Sequence, residues 1–240
     1  MSLPFTIQQF LDVFRRYNEG IWPAQWALIL VAIAVVAASF NVGRTGSRVA
    51  SLLLGVLWMW TGAVYHLVYF RSINAAAVMF GVAFIIEGAL IIWFGAVRSA
   101  LRFDPRRNLA TAIGLLFVVY AMVVYPLVGY VLGHRYPSAP TFGVPCPITI
   151  FTFGLFLLAS VPRLRSVVVI PVAWAMLGFS AAIQLGMWED LGLVVAAMVV
   201  TGFALFDRNA PAAVAVSDVR SHRFPDGDQG FHDSPRPSRG

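Results

Sequence analysis

The chain has 240 residues, of which 59% are hydrophobic and only 12% charged, with a mean hydropathy of +0.78. Soluble domains carry about 25% charged and about 45–50% apolar residues, so a water-soluble fold of this size could not cover the apolar side chains, and the expected solvent is lipid. The formal charge is +6, but the arginines sit in short loops between apolar runs, where they anchor a membrane protein; this speaks against a nucleic-acid partner.

All 17 basic residues are arginine, a matter of composition rather than mechanism. A lone cysteine, Cys146, leaves no intramolecular disulfide to form. The N-terminus has neither a basic n-region nor a small-residue cleavage site after its first apolar run, so no removable signal peptide is expected. Residues 5–18 place Ile7, Phe10, Leu11 and Phe14 at helical spacing opposite Gln8, Gln9, Asp12, Arg15 and Arg16. Thr6 and Gln9 have the spacing of a capping box. The segment reads as an amphipathic helix over residues 1–20, lying in the membrane interface with Trp22, Pro23 and Trp26 at headgroup level.

Apolar runs follow at 22–41, 48–70, 75–97, 109–133, 147–161, 166–186 and 190–206. A spanning helix needs about 20 residues, so the sequence predicts an all-α polytopic bundle of about seven transmembrane helices over 21–207. The run 147–161 is the short one; in a six-span alternative it is re-entrant. Residues 208–240 are rich in Pro, Gly, Ser, Asp and Arg and read as a disordered cytoplasmic tail, so its His222 and His232 are set aside as ligands.

With seven spans, Arg44, Arg48, Arg98, Arg102, Arg106, Arg107, Arg163, Arg165 and Arg208 lie on one side. Arg15, Arg16, Arg71 and Arg135 lie on the other. The positive-inside rule then puts the N-terminus outside and the C-terminus in the cytoplasm of a bacterial inner membrane. It also gathers Tyr65, His66, the 133–147 loop and the Trp188-Glu189-Asp190 turn on the outer side.

Glu87 is the one carboxylate in the middle of a span, a position that costs an ionised group about 2.5–3.5 kcal/mol, so it should face the bundle interior. It reads either as a relay, cation or substrate site, or as a protonated acid bonded to a backbone group or a tyrosine. His66, His134 and Cys146 carry ligand types that suit zinc or copper, though no spacing motif joins them; His66 alone reads as an interfacial histidine bonded to a loop carbonyl. Cys146, between two prolines, is held rigidly and reads as a haem-type ligand or a packed structural cysteine. Tyr125 and Pro126 sit on a span that the proline should kink, with Gly129 and Gly133 at the spacing of close helix approach. Tyr65, Tyr125, Tyr136, Glu87 and Asp190 are the candidate substrate contacts. Glu189 and Asp190 also suit the start of a helix, where carboxylates are favoured.

The stretch from Tyr125 to Phe153, with Gly133-His134-Arg135-Tyr136-Pro137, Pro140-Thr141-Phe142-Gly143 and Pro145-Cys146-Pro147, resembles an uncharacterised bacterial membrane family, domain of unknown function 6064. Phe5-Thr6 through Pro23, Tyr65-His66-Leu67 and Glu189-Asp190-Leu191-Gly192 extend the resemblance over residues 3–206. It implies a multi-pass topology and supplies no catalytic residues, cofactor or oligomeric state. The residues themselves point first to a permease-like protein for a small solute or ion. A membrane-embedded metal- or haem-binding protein or metal-dependent enzyme comes second, and a non-catalytic envelope assembly or stress component third.

Overall fold

The computed structural model describes residues 3–160 and 164–206, which form an all-helical unit. The tail at 208–240 lies outside the described residues, as do Arg163 and the side chain of Arg165.

Each predicted apolar run is a helix. After the amphipathic α1 (Ile7–Gly20) come α2 (Ala24–Phe40), α3 (Arg44–Ser72), α4 (Ala77–Val97), α5 (Leu109–Val131), α6 (Pro145–Leu157), α7 (Leu164–Leu185) and α8 (Leu191–Phe206). Among the described residues, four of these (α3, α4, α5 and α7) are long and apolar enough to cross a membrane; a fifth is reached if α1 and α2, bent by 88°, count as one broken span. Seven apolar helices are present, then, while the lengths support four or five spans. The three short ones, α2, α6 and α8, have 17, 13 and 16 residues.

The α1 cap forms as its spacing requires: the Gln9 amide donates to Thr6 Oγ1 at 3.3 Å and the Thr6 amide to Gln9 Oε1 at 2.8 Å. Its buried residues are Phe14 of the predicted stripe and, beyond that stripe, Val13, Tyr17 and Asn18. Asn18 is fully buried because its amide is fully used. It donates to the carbonyls of Pro137 and Ala139 at 2.7 and 2.8 Å, and accepts from Thr141 Oγ1 at 2.7 Å. The long loop between α5 and α6 is thereby pinned to α1.

The 147–161 run forms a short helix enclosed by its neighbours. Its helix, α6, is a rod of about 20 Å at 1.5 Å per residue, buried on all sides: Ile148, Thr149, Ile150, Phe151, Thr152, Phe153 and Leu155 have no exposure. A helix apolar all round is stable when neighbours enclose it, and α6 is the axis on which the bundle closes. Glycines let the backbones meet: a Cβ on Gly154 would lie 2.6 Å from the Gly114 carbonyl of α5. The approach to α6 is buried as well, through Phe142, Gly143 and Val144. Gly143, at φ +112°, makes a turn that a side chain would strain, and its carbonyl accepts from Thr61 Oγ1 of α3 at 3.0 Å.

Three helices contain π-turns, at Thr61–Tyr69, Ile92–Val97 and Tyr120–Val124. The last ends two residues before Pro126, whose missing N–H interrupts the α-helical ladder. The first turns two consecutive side chains, Tyr65 and His66, inward together. At the far end of α6, a two-residue ladder pairs β1 (Arg102–Phe103) antiparallel with β2 (Ala159–Ser160). Phe103 N–H also donates to buried Ser47 Oγ at 3.0 Å, and Arg48 Nε to the Ala96 carbonyl at 2.5 Å. Arg44 and Arg48 of α3, Arg98 at the α4 end and Arg102 of β1 thus share one end of the bundle, opposite α1.

Candidate functional site

At the α1 end, the aromatic face of α1 roofs a cavity of about 170 Å³. Phe5, just before α1, and Phe10 and Phe14 of α1 come down from above, Tyr65 and Phe70 from the end of α3, Phe80 from α4, and Trp174 with Gly178 from α7. The floor is the start of α6, at Pro145 and Cys146, together with Tyr125 and Asp190. The rings pack on one another: Phe10 meets Phe14 at 4.7 Å and Tyr65 meets Phe70 at 5.8 Å between centroids. Leu177 and Ser180, also lining residues, are exposed on the outer surface of α7, so the cavity opens sideways beside this helix.

The polar floor is anchored from the turn before α8. Tyr125 Oη donates to Asp190 Oδ1 at 2.7 Å, both residues buried. The Asp190 carboxyl is pushed up to about 7 from an ordinary value of 3.8, first by burial and then by the neighbouring Glu189, against the lowering effect of the Tyr125 hydrogen bond. Cys146 lies beside the same carboxyl. Glu189 turns the other way: its Oε1 is 2.7 Å from His134 Nδ1, and its backbone carbonyl accepts from Tyr120 Oη at 2.7 Å. Gly129 leaves room for this pair, since a Cβ there would come 3.3 Å from Glu189 Oε1. Two adjacent acids, read from sequence as helix-start residues, are therefore two anchors. Asp190 faces the cavity and Glu189 holds the His134 loop.

Of the candidate substrate contacts, Tyr65, Tyr125 and Asp190 come together in the cavity wall, joined by Cys146. Tyr136 is 56% exposed on the loop and takes no part. Glu87 is completely buried on α4, within neither the cavity lining nor any hydrogen bond; both carboxyl oxygens lack a partner. His66, His134 and Cys146 occupy three different settings. His66 sits in a box of Tyr65, Phe70, Phe80, Phe84 and Trp174, with centroid distances of 4.8 Å to Phe84 and 5.2 Å to Trp174. Neither of its nitrogens has a partner, so the loop carbonyl expected for it is absent. His134 pairs with Glu189 and Cys146 with the cavity floor. Among the described residues, no group of three His, Cys, Asp or Glu side chains is disposed to hold a metal ion.

Sequence reasoning passed over Trp174 and the inward role of α1. Tryptophan favours the membrane interface, so one in the middle of an apolar run was a signal that something other than lipid adjoins it. Its Nε1 is buried without a partner.

No curated protein and no solved structure matches the chain. A family model described as a family of unknown function, DUF6064, matches residues 7–213, and the chain belongs to that family.

Proposed function

We propose that this is a multi-pass protein of the bacterial inner membrane that binds a small lipophilic molecule in the α1-roofed cavity and passes it between the bilayer and the outer compartment, as a permease-like carrier. The observation that carries this reading is the cavity: apolar and rich in aromatic rings, with a buried polar floor at Tyr125, Cys146 and Asp190, and open beside α7 toward the apolar exterior. That exterior is an apolar belt, with Leu30, Val56, Met79, Leu116, Met176 and Met198 each at least 46% exposed, which suits hydrocarbon and not water. In this reading α2 to α8 cross the membrane, α6 being shielded by the others, and the arginine end faces the cytoplasm. The amphipathic α1 then lies at the outer surface, with Asp12, Arg15, Arg16 and Glu19 paired among themselves.

A dry apolar cavity of about 150 Å³ admits a benzene ring, so ligands carrying one ring are the right size. The test is equilibrium binding of 2-phenylethanol to protein in lipid nanodiscs, with Ala181→Trp to fill the lining from α7. Saturable uptake by the native chain that the substitution reduces at least tenfold is expected. Equal, unsaturable partitioning into both would overturn the proposal. Flux of the same molecule into proteoliposomes then separates a carrier from a simple receptor.

A further inference from the structure

We infer that the cavity selects lipophilic amines in their protonated form, with the ammonium group on Asp190 and the apolar body among the aromatic rings; this rests on the cavity reading above and names its ligand class. Among the described residues, the cavity wall contains one carboxyl group and no arginine, lysine or histidine. A ligand carboxylate or phosphate would meet Asp190 with nothing to balance it, so anions are disfavoured. An ammonium group finds an opposite charge, and the rings of Phe10, Phe14, Tyr65, Phe80 and Trp174 line the same cavity. Cations are attracted to the faces of such rings within about 6 Å of a centroid. Tyr125 Oη, donating to Asp190 Oδ1 at 2.7 Å, and the Cys146 thiol beside the same carboxyl fix its orientation on the cavity floor.

The remaining titratable groups around Asp190 are Glu189, Tyr120, Tyr125, Tyr65 and Cys146, with His134 beyond Glu189. Glu189 repels a second negative charge at Asp190, and its His134 partner is turned away from the cavity. No basic side chain competes with the ligand for Asp190. The empty site therefore holds its proton at mildly acidic pH, burial having pushed the carboxyl up to about 7. When R–NH₃⁺ enters, the carboxyl proton leaves to water and the carboxylate pairs with the ammonium. One positive charge enters, one departs, and no bond to carbon or nitrogen changes. Binding is thus an exchange of an organic cation for a proton.

An isosteric series tests the charge without altering the protein. 2-Phenylethylamine, 2-phenylethanol and 3-phenylpropanoate are titrated calorimetrically into the full chain in nanodiscs, at pH 6 and pH 8.5, in two buffers of different ionisation enthalpy. The expected result is amine binding at least tenfold tighter than alcohol, no saturable binding of the acid, and release of close to one proton at pH 6 and almost none at pH 8.5. Asp190→Asn should bring amine and alcohol within about twofold, while Asp190→Glu keeps the preference. Should Asp190→Asn fail to fold, the native series and Asp190→Glu decide. Alcohol binding as tightly as amine, or the acid binding best, would overturn the cation inference and leave the cavity reading standing. If none of the three binds and Ala181→Trp changes nothing, both fall.

Discussion

Along the middle of α6 the buried polar side chains are paired. Trp58 Nε1 donates to Thr152 Oγ1 at 2.9 Å, Thr152 and Thr149 donate back to helix carbonyls at 2.8 Å, and Thr61 bridges to Gly143. Across the molecule, where α4 and α7 meet the outer half of α3, the opposite holds. Both nitrogens of His66, both oxygens of Glu87 and Trp174 Nε1 are buried with none. An unmade hydrogen bond in an apolar interior costs about 1–3 kcal/mol, so the two sides answer to different demands. One is built to hold still. The other leaves buried polar atoms unpaired among the described residues, and His66 and Trp174 there pack against rings that line the cavity.

The contrast can be broken at several points. Gly154→Leu should remove the fold altogether, a loss of at least about 5 kcal/mol, because the carbonyl of Gly114 occupies the new side chain's place; folded protein recovered after purification, with a near-native unfolding midpoint, would show that the α5–α6 contact is not tight. The next effect is pH dependence. Asp190 binds its proton more strongly folded than unfolded, so stability is full below about pH 4 and falls as pH rises to about 7. The loss is on the order of 4 kcal/mol across that window. Denaturant midpoints at pH 5 and 8 measure it, and Asp190→Asn should flatten the difference.

Glu87→Met should stabilise the protein by about 2 kcal/mol, since it removes two unsatisfied oxygens at similar volume. Trp58→Phe should cost about 1 kcal/mol through the lost bond to Thr152. Opposite signs for these two sharpen the comparison; a destabilising Glu87→Met would erase it and give Glu87 a partner. Smallest of all is Asp12→Asn. Arg15 and then Arg16 hold this carboxyl below its ordinary value, but the pair is exposed, and its removal should leave the thermal midpoint unmoved within error.

Much of the helical layout was legible. Seven apolar runs gave seven helices within a few residues, and the Thr6–Gln9 box sits at the spacing that defined it. Gly133, at φ +95°, follows the end of α5. The nature of α6 was hidden, because a short apolar run has the same letters whether lipid or protein surrounds it. Asn18 was passed over for a similar reason: an amide on a surface helix looks solvated until the carbonyls of a loop 119 residues away close on it. Tyr65, Tyr125, Asp190 and Cys146 could each be picked out as chemically notable, and they share one cavity. The separation of His66 from His134 was not readable, since it depends on a π-turn that no residue pattern announces. Trp174 carried the missed signal, a polar indole inside a run read only for its apolar length.

The enclosure of α6 bears on how the chain is made. On the membrane reading, a rod of 13 residues is below the length of about 20 that inserts on its own, and it shows lipid no surface of its own. It has to be received by helices already in place and sealed by those still to come. Synthesis order matters: α2 to α5 precede it, but α7 and α8, which complete its enclosure, emerge afterwards. During that interval the segment depends on the insertion machinery, and a chain stopped after residue 160 would present α6 half-covered, a natural substrate for membrane quality control.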